Sequence, residues 1–263
     1  MSLSKPEFRQ GTWDSEIFRC VVEHNEYNIP SNLKNFKVID IGGHIGSFSW
    51  LAARNGAKEV FYCEPLRENF DIGMKWINKN FVSQKNFSTV FATFPMAIWK
   101  DCEKPLIIGK SSDVVNTGGA SCLGTQEEGE NRLIVPTFPF DEIIRLRLLK
   151  RAQSEKVLLK LDCEGAEFPI LFSSTELDSI DYICGEFHEP SFVPDEAKVE
   201  GFENYDALTL QKFLKESGFA YTYFERSKDS NGNLVPLGHF WAAKTNESFF
   251  LNLNLSSDFQ IEI

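Results

Sequence analysis

The feature that most constrains this chain is a regular alternation, from Phe36 onward, of short apolar runs with amphipathic stretches. A short apolar run bounded by turn residues reads as a strand buried on both faces, and such strands separated by helical repeats build βαβ units around a parallel sheet. Phe36 to Asp40 (FKVID) is the first predicted strand, and the glycine-rich GGHIGS follows at once. Ser47 to Gly56 reads as a helix with Phe48, Leu51 and Ala52 on one face and Asn55 or Gly56 as its stop. EVFYCEP is a second strand ending at Pro65, and Glu68 to Phe81 a second helix carrying Phe70, Met74, Ile77 and Phe81 at helical spacing. A third strand falls within STVFATFPMAIW, where Pro95 obscures its limits.

From about 100 to 139 the rhythm breaks. LIIG and LIVPTF flank the small and polar SSDVVNTGGASCLGTQEEGEN, which predicts a β-hairpin-like insertion with a Gly/Ser-rich tip. Alternation then resumes with the helix DEIIRLRLLK, the strand Val157 to Asp162, and the helix EGAEFPILF, where Pro169 is tolerated only in the first turn. The strand Tyr182 to His188 follows, then the amphipathic LTLQKFLKESGF stopped by Gly218, then AYTYFE and HFWAAK joined through DSNGN as an antiparallel hairpin. The expected fold is α/β, with a mostly parallel seven-stranded sheet, a C-terminal antiparallel hairpin and helices on both faces. Residues 1–35 are expected to pack on a single domain formed by 36–263.

With 263 residues, 42% of them hydrophobic, the chain can bury a sizeable core. A balance of 27 Lys and Arg against 38 Asp and Glu gives −11, and no basic patch opposes that field. Nucleic acid and anionic membrane surfaces are therefore not expected partners. The six cysteines form no C-x-x-C pair and have no histidine at zinc-ligand spacing. Cys63, Cys163 and Cys184 sit in apolar runs, where a small buried thiol is the ordinary expectation. No apolar leader and no stretch of about 18 uncharged apolar residues appears, so no membrane insertion is expected, and the cytoplasm is the expected location.

Three strand ends carry the chemistry. After the first strand, Asp40-Ile-Gly42-Gly43-His44-Ile-Gly46 leads into a helix, and Glu64-Pro65 closes the second strand. Glycines let a backbone approach a ligand, a helix start offers unpaired N–H groups, and an acid at the end of strand two suits a ribose diol. The spacing G-G-x-x-G departs from the dinucleotide G-x-G-x-x-G. Asp40 would repel a pyrophosphate but suits a ligand bearing an ammonium and a sulfonium, which favours S-adenosylmethionine over NAD. A tight turn without a ligand is the plain alternative. At the fourth strand end stand Lys160, Asp162, Glu164 and Glu167, and at the fifth Glu186, His188 and Glu189.

VIDIGGHIGSFS, VFYCEP and LLKLDCEGAE together resemble the FkbM family of S-adenosylmethionine-dependent methyltransferases, over about Phe36 to Phe219. That family carries a D-I-G-A-N-I-G-like loop, an E-P after strand two and a K-x-D-x-E-G-A-E block; here Gly43 stands for the usual Ala and His44 for the usual Asn. The resemblance implies a Rossmann-like class I fold and methyl transfer to an oxygen, on a sugar, another saccharide or a natural product. It implies a cofactor site of Asp40, Gly42, Gly43, His44, Gly46, Glu64 and Pro65, with Ala97 near the adenine.

Transfer to an ordinary hydroxyl benefits from a base of near-neutral pKa. His188 is the candidate, oriented by Glu186 or Glu189, and the alternative is a hydrogen-bonded strand-end histidine. Asp162 and Glu164 could do the same work, position the acceptor or contact the methionine part of the cofactor; Glu164 and Glu167 could equally be helix N-terminal acids. No metal is demanded by any spacing. A protein that binds a nucleoside or S-adenosylmethionine without turnover, and less so an NAD-dependent oxidoreductase, are the competing functions.

Overall fold

Twelve strands alternate with six helices in the computed structural model, which describes residues 6–83, 88–110, 115–123, 132–148, 151–246, 248–253 and 261–262. The strands are β1 (Phe36–Ile41), β2 (Glu59–Cys63), β3 (Val90–Phe94), β4 (Ala97–Trp99), β5 (Leu106–Gly109), β6 (Arg132–Val135), β7 (Thr137–Pro139), β8 (Lys156–Leu161), β9 (Tyr182–His188), β10 (Tyr221–Lys228), β11 (Leu234–Ala243) and β12 (Ile261–Glu262). The helices are α1 (Asp14–Phe18), α2 (Ser47–Arg54), α3 (Arg67–Ile77), α4 (Phe140–Leu148), α5 (Glu167–Ser173) and α6 (Ala207–Glu216).

The main sheet runs β12-β10-β11-β9-β8-β1-β2-β3. Pairing is parallel from β9 to β3, and β11 lies antiparallel between β9 and β10. The seven expected strands are all there, and β12 adds a two-residue edge beside β10. Because successive strand side chains point to opposite faces, Val38, Leu158 and Cys184 face one layer, holding α2 and the N-terminal segment, while Ile39, Leu159 and Ile183 face the other, holding α4, α5 and α6. That double burial explains why these strands read as continuous apolar runs.

Strand order reverses beside β1: the chain moves outward through β2 and β3, then returns to place β8 on β1's other side. A crevice opens above strand C-termini at such a switch point. β3 stops at Phe94, and the next strand, β4, pairs instead with β7. Pro95, which has no N–H to donate to a ladder, marks that departure. The hairpin expected in the insertion is the antiparallel pair β5 and β6; most of its Gly/Ser-rich tip, 111–114 and 124–131, lies outside the described residues. Helix α3 ends at Ile77, four residues before the expected stop, and a wider turn continues through Asn78–Val82. Within that turn the Asn80 amide donates to the Trp76 carbonyl at 3.1 Å.

The N-terminal segment is tied down by its own apolar residues. Phe18 lies 5.9 Å from the Trp50 ring and 5.2 Å from that of Trp76, and Tyr27, Ile29 and Leu33 are buried. The Trp241 indole donates to the Tyr27 carbonyl at 3.0 Å. Residues 13–26 consequently pass over the C-terminal ends of the central strands. Among the described residues no helix is long and apolar enough to cross a membrane.

Candidate active site

A cavity of about 350 Å³ sits at the switch point. Gly42 and His44 line it from the first loop, Glu64, Pro65 and Leu66 from the end of β2, Ala97 and Ile98 from β4, and Asp162, Glu164 and Glu186 from the ends of β8 and β9. Trp13, Glu16, Ile17, Cys20 and Glu26 close it from the N-terminal side.

The glycine loop has specific steric reasons. Gly42 has φ +71°, and a Cβ there would meet the Asp162 carbonyl oxygen at 1.8 Å. A Cβ on Gly43 would meet the Tyr62 ring at 2.5 Å. His44 also adopts a left-handed backbone, φ +49°, held by its N–H donating to Glu64 at 2.9 Å and by its carbonyl accepting from the Tyr62 hydroxyl.

Of the loop residues expected at the cofactor, Asp40, Gly43 and Gly46 are not on the cavity wall. Asp40 shares a face with Val38 and so points toward α2. It is fully buried there, accepting from the Ser49 N–H at 3.1 Å and the Ser49 hydroxyl at 2.6 Å. Its other oxygen lies 3.4 Å from Lys160. Gly43 backs onto Tyr62, and Gly46 precedes α2. These three shape the loop from behind, a task that the same residue types serve without touching a ligand.

Glu64 is buried, and its two oxygens accept from the N–H groups of His44 and Leu66, at 2.9 and 2.8 Å. Burial pushes its carboxyl up to about 7, against the pull of those N–H groups. Oε1 also accepts from the Asn69 amide at 3.4 Å, while Oε2 keeps a second lone pair, so Glu64 is aimed and still able to accept from a hydroxyl. His44 Nε2 contacts the Thr117 hydroxyl at 2.8 Å, whereas its Nδ1 is buried with no partner. Burial lowers this imidazole to about 4, so it is neutral. An orphaned ring nitrogen, an oriented acid and an apolar floor of Pro65, Leu66 and Ala97 suit a ligand with an ammonium, a ribose and a base. The residues present therefore fit S-adenosylmethionine.

At the other end, charge is crowded. Lys160 is buried, donates to the Gly42 carbonyl at 2.8 Å and lies 3.5 Å from Asp162. Burial alone would depress this amine, but the Asp162 and Asp40 carboxylates outweigh it and hold it charged. The Tyr27 hydroxyl donates to Asp162 at 3.0 Å. His188 stands 3.4 Å from Glu167, 3.5 Å from Glu186 and 3.6 Å from Glu164. Burial works against its proton, yet those carboxylates raise its pKa well above the ordinary value. An imidazolium has no proton-accepting lone pair, and His188 does not line the cavity. The arrangement thus favours the other expectation for His188, a strand-end histidine held by its carboxylate neighbours.

Glu164 does line the cavity, from a left-handed backbone at φ +57°. Burial raises its carboxyl, His188 opposes, and Asp162, Glu167 and Glu186 add to the rise, bringing it to about 7. Glu167 is a loop brace: fully buried, it accepts from the N–H groups of Cys163 and Gly165 at 2.6 and 2.8 Å. Glu189 is turned away from His188, pairing with Arg226 and accepting from the Ala207 N–H at 2.8 Å.

Tyr27, Glu26 and His239 are absent from the sequence-predicted site, and Lys160 stands in it without a role. His239 reaches it because β11 pairs with β9 in the register that sets it opposite Glu186, at 3.2 Å. Lys160 was visible as an apolar-run lysine, a signal that a buried ion pair was near. Cys63, Cys163 and Cys184 are free thiols whose pKa burial raises, as expected of packed cysteines.

A parallel sheet with one antiparallel strand inserted near its edge, and a glycine loop and acid at adjacent strand ends, define a Rossmann-like class I methyltransferase whose methyl donor is S-adenosylmethionine. The chain belongs to the FkbM methyltransferase family: the methyltransferase FkbM domain matches residues 40–223. No curated protein matches the sequence. Among solved structures, magnesium protoporphyrin IX methyltransferase from Synechocystis PCC 6803, with bound S-adenosylhomocysteine, is 13% identical over 92% of this chain and 90% of that one, at TM-score 0.41. TrmK from M. capricolum, in complex with S-adenosylhomocysteine, is 10% identical over 85% and 68%, at TM-score 0.41. Precorrin-6y C5,15-methyltransferase from Geobacter metallireducens is 11% identical over 90% and 93%, at TM-score 0.40.

Proposed function

We propose that the protein methylates a hydroxyl of a small polar acceptor, a saccharide or hydroxylated natural product, with Glu164 as the general base. The observation that carries this is a carboxylate of near-neutral pKa on the wall of the cavity that the glycine loop and Glu64 also line. Bound S-adenosylmethionine supplies an electrophilic methyl on a good leaving group. Gly42 and His44 would hold its methionine end, Glu64 its ribose hydroxyls, and Pro65, Leu66 and Ala97 its adenine.

Glu164 takes the acceptor's hydroxyl proton as the new C–O bond forms, a role for which a pKa near the working pH is best matched. His188 stays protonated and steadies Glu164 and Glu186, reversing the roles expected from sequence. Asp162, held by Lys160 and Tyr27, positions the acceptor. Trp13 and Ile17 limit water above the cavity.

The test measures S-adenosylhomocysteine release across a panel of hydroxylated sugars and lipid-linked saccharides, after calorimetry with S-adenosylmethionine. Tight cofactor binding and methyl ether formation are expected. Transfer only to nitrogen or carbon would refute the acceptor class, and a folded chain that binds no cofactor would refute the enzyme.

A further inference from the structure

We propose that Thr117, backed by Asp14, is a positioning residue that locks His44 as the tautomer with its proton on Nε2, so that Nδ1 presents a bare lone pair to the ammonium of the cofactor's methionine end. This rests on the cofactor placement given above and deepens it.

Counting protons along one chain of contacts fixes the tautomer. Asp14 is fully buried and accepts from Arg9 three times, from the backbone N–H at 3.1 Å and from Nε and Nη2 at 2.8 Å each. Burial alone would raise its carboxyl, but the Arg9 and Thr117 hydrogen bonds outweigh it and hold the group below its ordinary value. An ionised carboxylate only accepts, so the Thr117 hydroxyl spends its single proton on Asp14 Oδ1, at 2.8 Å. The Thr117 oxygen then meets His44 Nε2, also at 2.8 Å, with lone pairs alone, and the nitrogen must be the donor. The Asp14 charge, 3.6 Å from Nε2, favours a proton there as well. Arg9 Nη2 also approaches Nε2, but at 3.4 Å and while donating to Asp14 at 2.8 Å, so it is the weaker contact. Burial keeps the ring neutral, with its pKa at about 4, so Nε2 carries its one proton. Nδ1 is left bare, buried and without a partner.

A buried acceptor that no donor meets is costly, and a residue so placed calls for a partner. His44 is only 9% exposed and lines the cavity beside Gly42. Of the two charged groups that the methionine end of the cofactor brings, an ammonium can donate to a bare nitrogen and a carboxylate cannot. The opposite tautomer would offer an N–H and select the carboxylate. Thr117 also braces the acid assigned to the ribose: its carbonyl accepts from the Asn69 amide at 3.0 Å, and the same amide nitrogen lies 3.4 Å from Glu64 Oε1. Two segments outside the glycine loop, the insertion that carries Thr117 and the N-terminal residues Arg9 and Asp14, thereby set the chemistry of a nitrogen within it.

The experiment uses the full chain with Thr117→Val, which keeps the shape and removes the hydroxyl, and Thr117→Ser, which keeps the hydroxyl; melting curves verify folding. Nitrogen NMR of isotope-labelled histidine reads the tautomer, with the His44 signals assigned by their loss in His44→Asn. In the wild type without cofactor, Nε2 should resonate as a protonated nitrogen and Nδ1 as a bare one. The reverse assignment would overturn the proposal. Thr117→Val should lose the single tautomer and Thr117→Ser should keep it; an unchanged spectrum in Thr117→Val would remove Thr117 from the role. Calorimetry then compares S-adenosylhomocysteine with its deamino analogue, in which hydrogen replaces the amino group. Wild type should prefer the parent by about ten-fold or more, and Thr117→Val should weaken the parent by about ten-fold but the analogue by less than about two-fold. Equal affinity of the wild type for the two ligands, or equal losses in the variant, would mean that Nδ1 does not meet the ammonium. Should Thr117→Val fail to fold, the wild-type spectrum and the wild-type preference still decide. A wild type that binds neither ligand would instead strike the methyltransferase reading, so the two failures are distinguishable.

Discussion

The two ends of the cavity solve different problems. At the β2 and β4 end, Glu64 is held by backbone N–H groups of its own loops and by the Asn69 amide, beside an apolar floor, and among the described residues no other ionisable side chain hydrogen-bonds to it. At the β8 and β9 end, Asp162, Glu164 and Glu186 share Lys160, His188 and His239, and each carboxylate's state depends on its neighbours' charge. The first end fixes its acid by the backbone, as befits the cofactor role proposed for it. The second is an electrostatic balance in which burial and neighbouring charges pull apart the pKa values of like groups, raising Glu164 to about 7 and lowering Glu186.

The largest expected break in that contrast comes from Glu164→Gln, which should lower the rate of S-adenosylhomocysteine formation by about 100-fold or more while leaving cofactor affinity within a few-fold. A loss below about ten-fold would remove Glu164 from proton transfer. At the opposite end, Glu64→Ala should weaken S-adenosylmethionine by about ten- to 100-fold in calorimetry, through lost hydroxyl hydrogen bonds to a charged acceptor. Unchanged affinity would mean that the oriented acid does not meet the ribose.

The pH profile sharpens the comparison further. With Glu164 at about 7, the rate should rise through neutral pH as the carboxylate ionises. In His188→Gln a stabilising positive charge is lost, which favours the protonated acid, so the acid limb should move to higher pH by about one unit. A shift to lower pH would show that His188 is not the cation that Glu164 feels. The smallest effect is on stability. Glu26, Glu64 and Glu164 are raised from 4.5 to about 7 in the fold. A raised carboxyl pKa means the folded state holds its proton longer; the stability this contributes is full below pH 4.5 and is lost as pH rises through 7. The melting temperature should drop by a few °C, on the order of one cooperative increment, between pH 5 and pH 8. A rise over that interval would contradict the crowded-acid description.

How far each end was legible follows the same division. Gly42, His44, Glu64 and Pro65 line the cavity and could be placed from the chain because strand, loop and helix are contiguous and the glycines mark where a Cβ will not fit; Ala97 was implied only by the family resemblance. Asp40, expected at the cofactor, lies behind that loop and off the cavity wall. Strand alternation puts Asp40 on Val38's face, toward α2, where Ser49 donates twice to Oδ2 and Lys160 lies 3.4 Å from Oδ1. The acids at β8 and β9 were equally visible, but their roles were not. His188 appears in sequence as a neutral base because its three carboxylate neighbours come from the β8 loop, α5 and its own strand, and only their convergence keeps the proton on it.

The sequence by itself determined the layer order, the glycine loop, the acid after strand two and the cluster at the fourth and fifth strand ends, since these depend on local period and local sterics. Only the tertiary structure decided which acid is free to accept a proton. That depends on Tyr27 and Glu26 from the N-terminal segment and His239 from the far hairpin, brought within a few ångströms of residues more than a hundred positions away. A pKa responds to distance and burial through space, and neither is written along the chain.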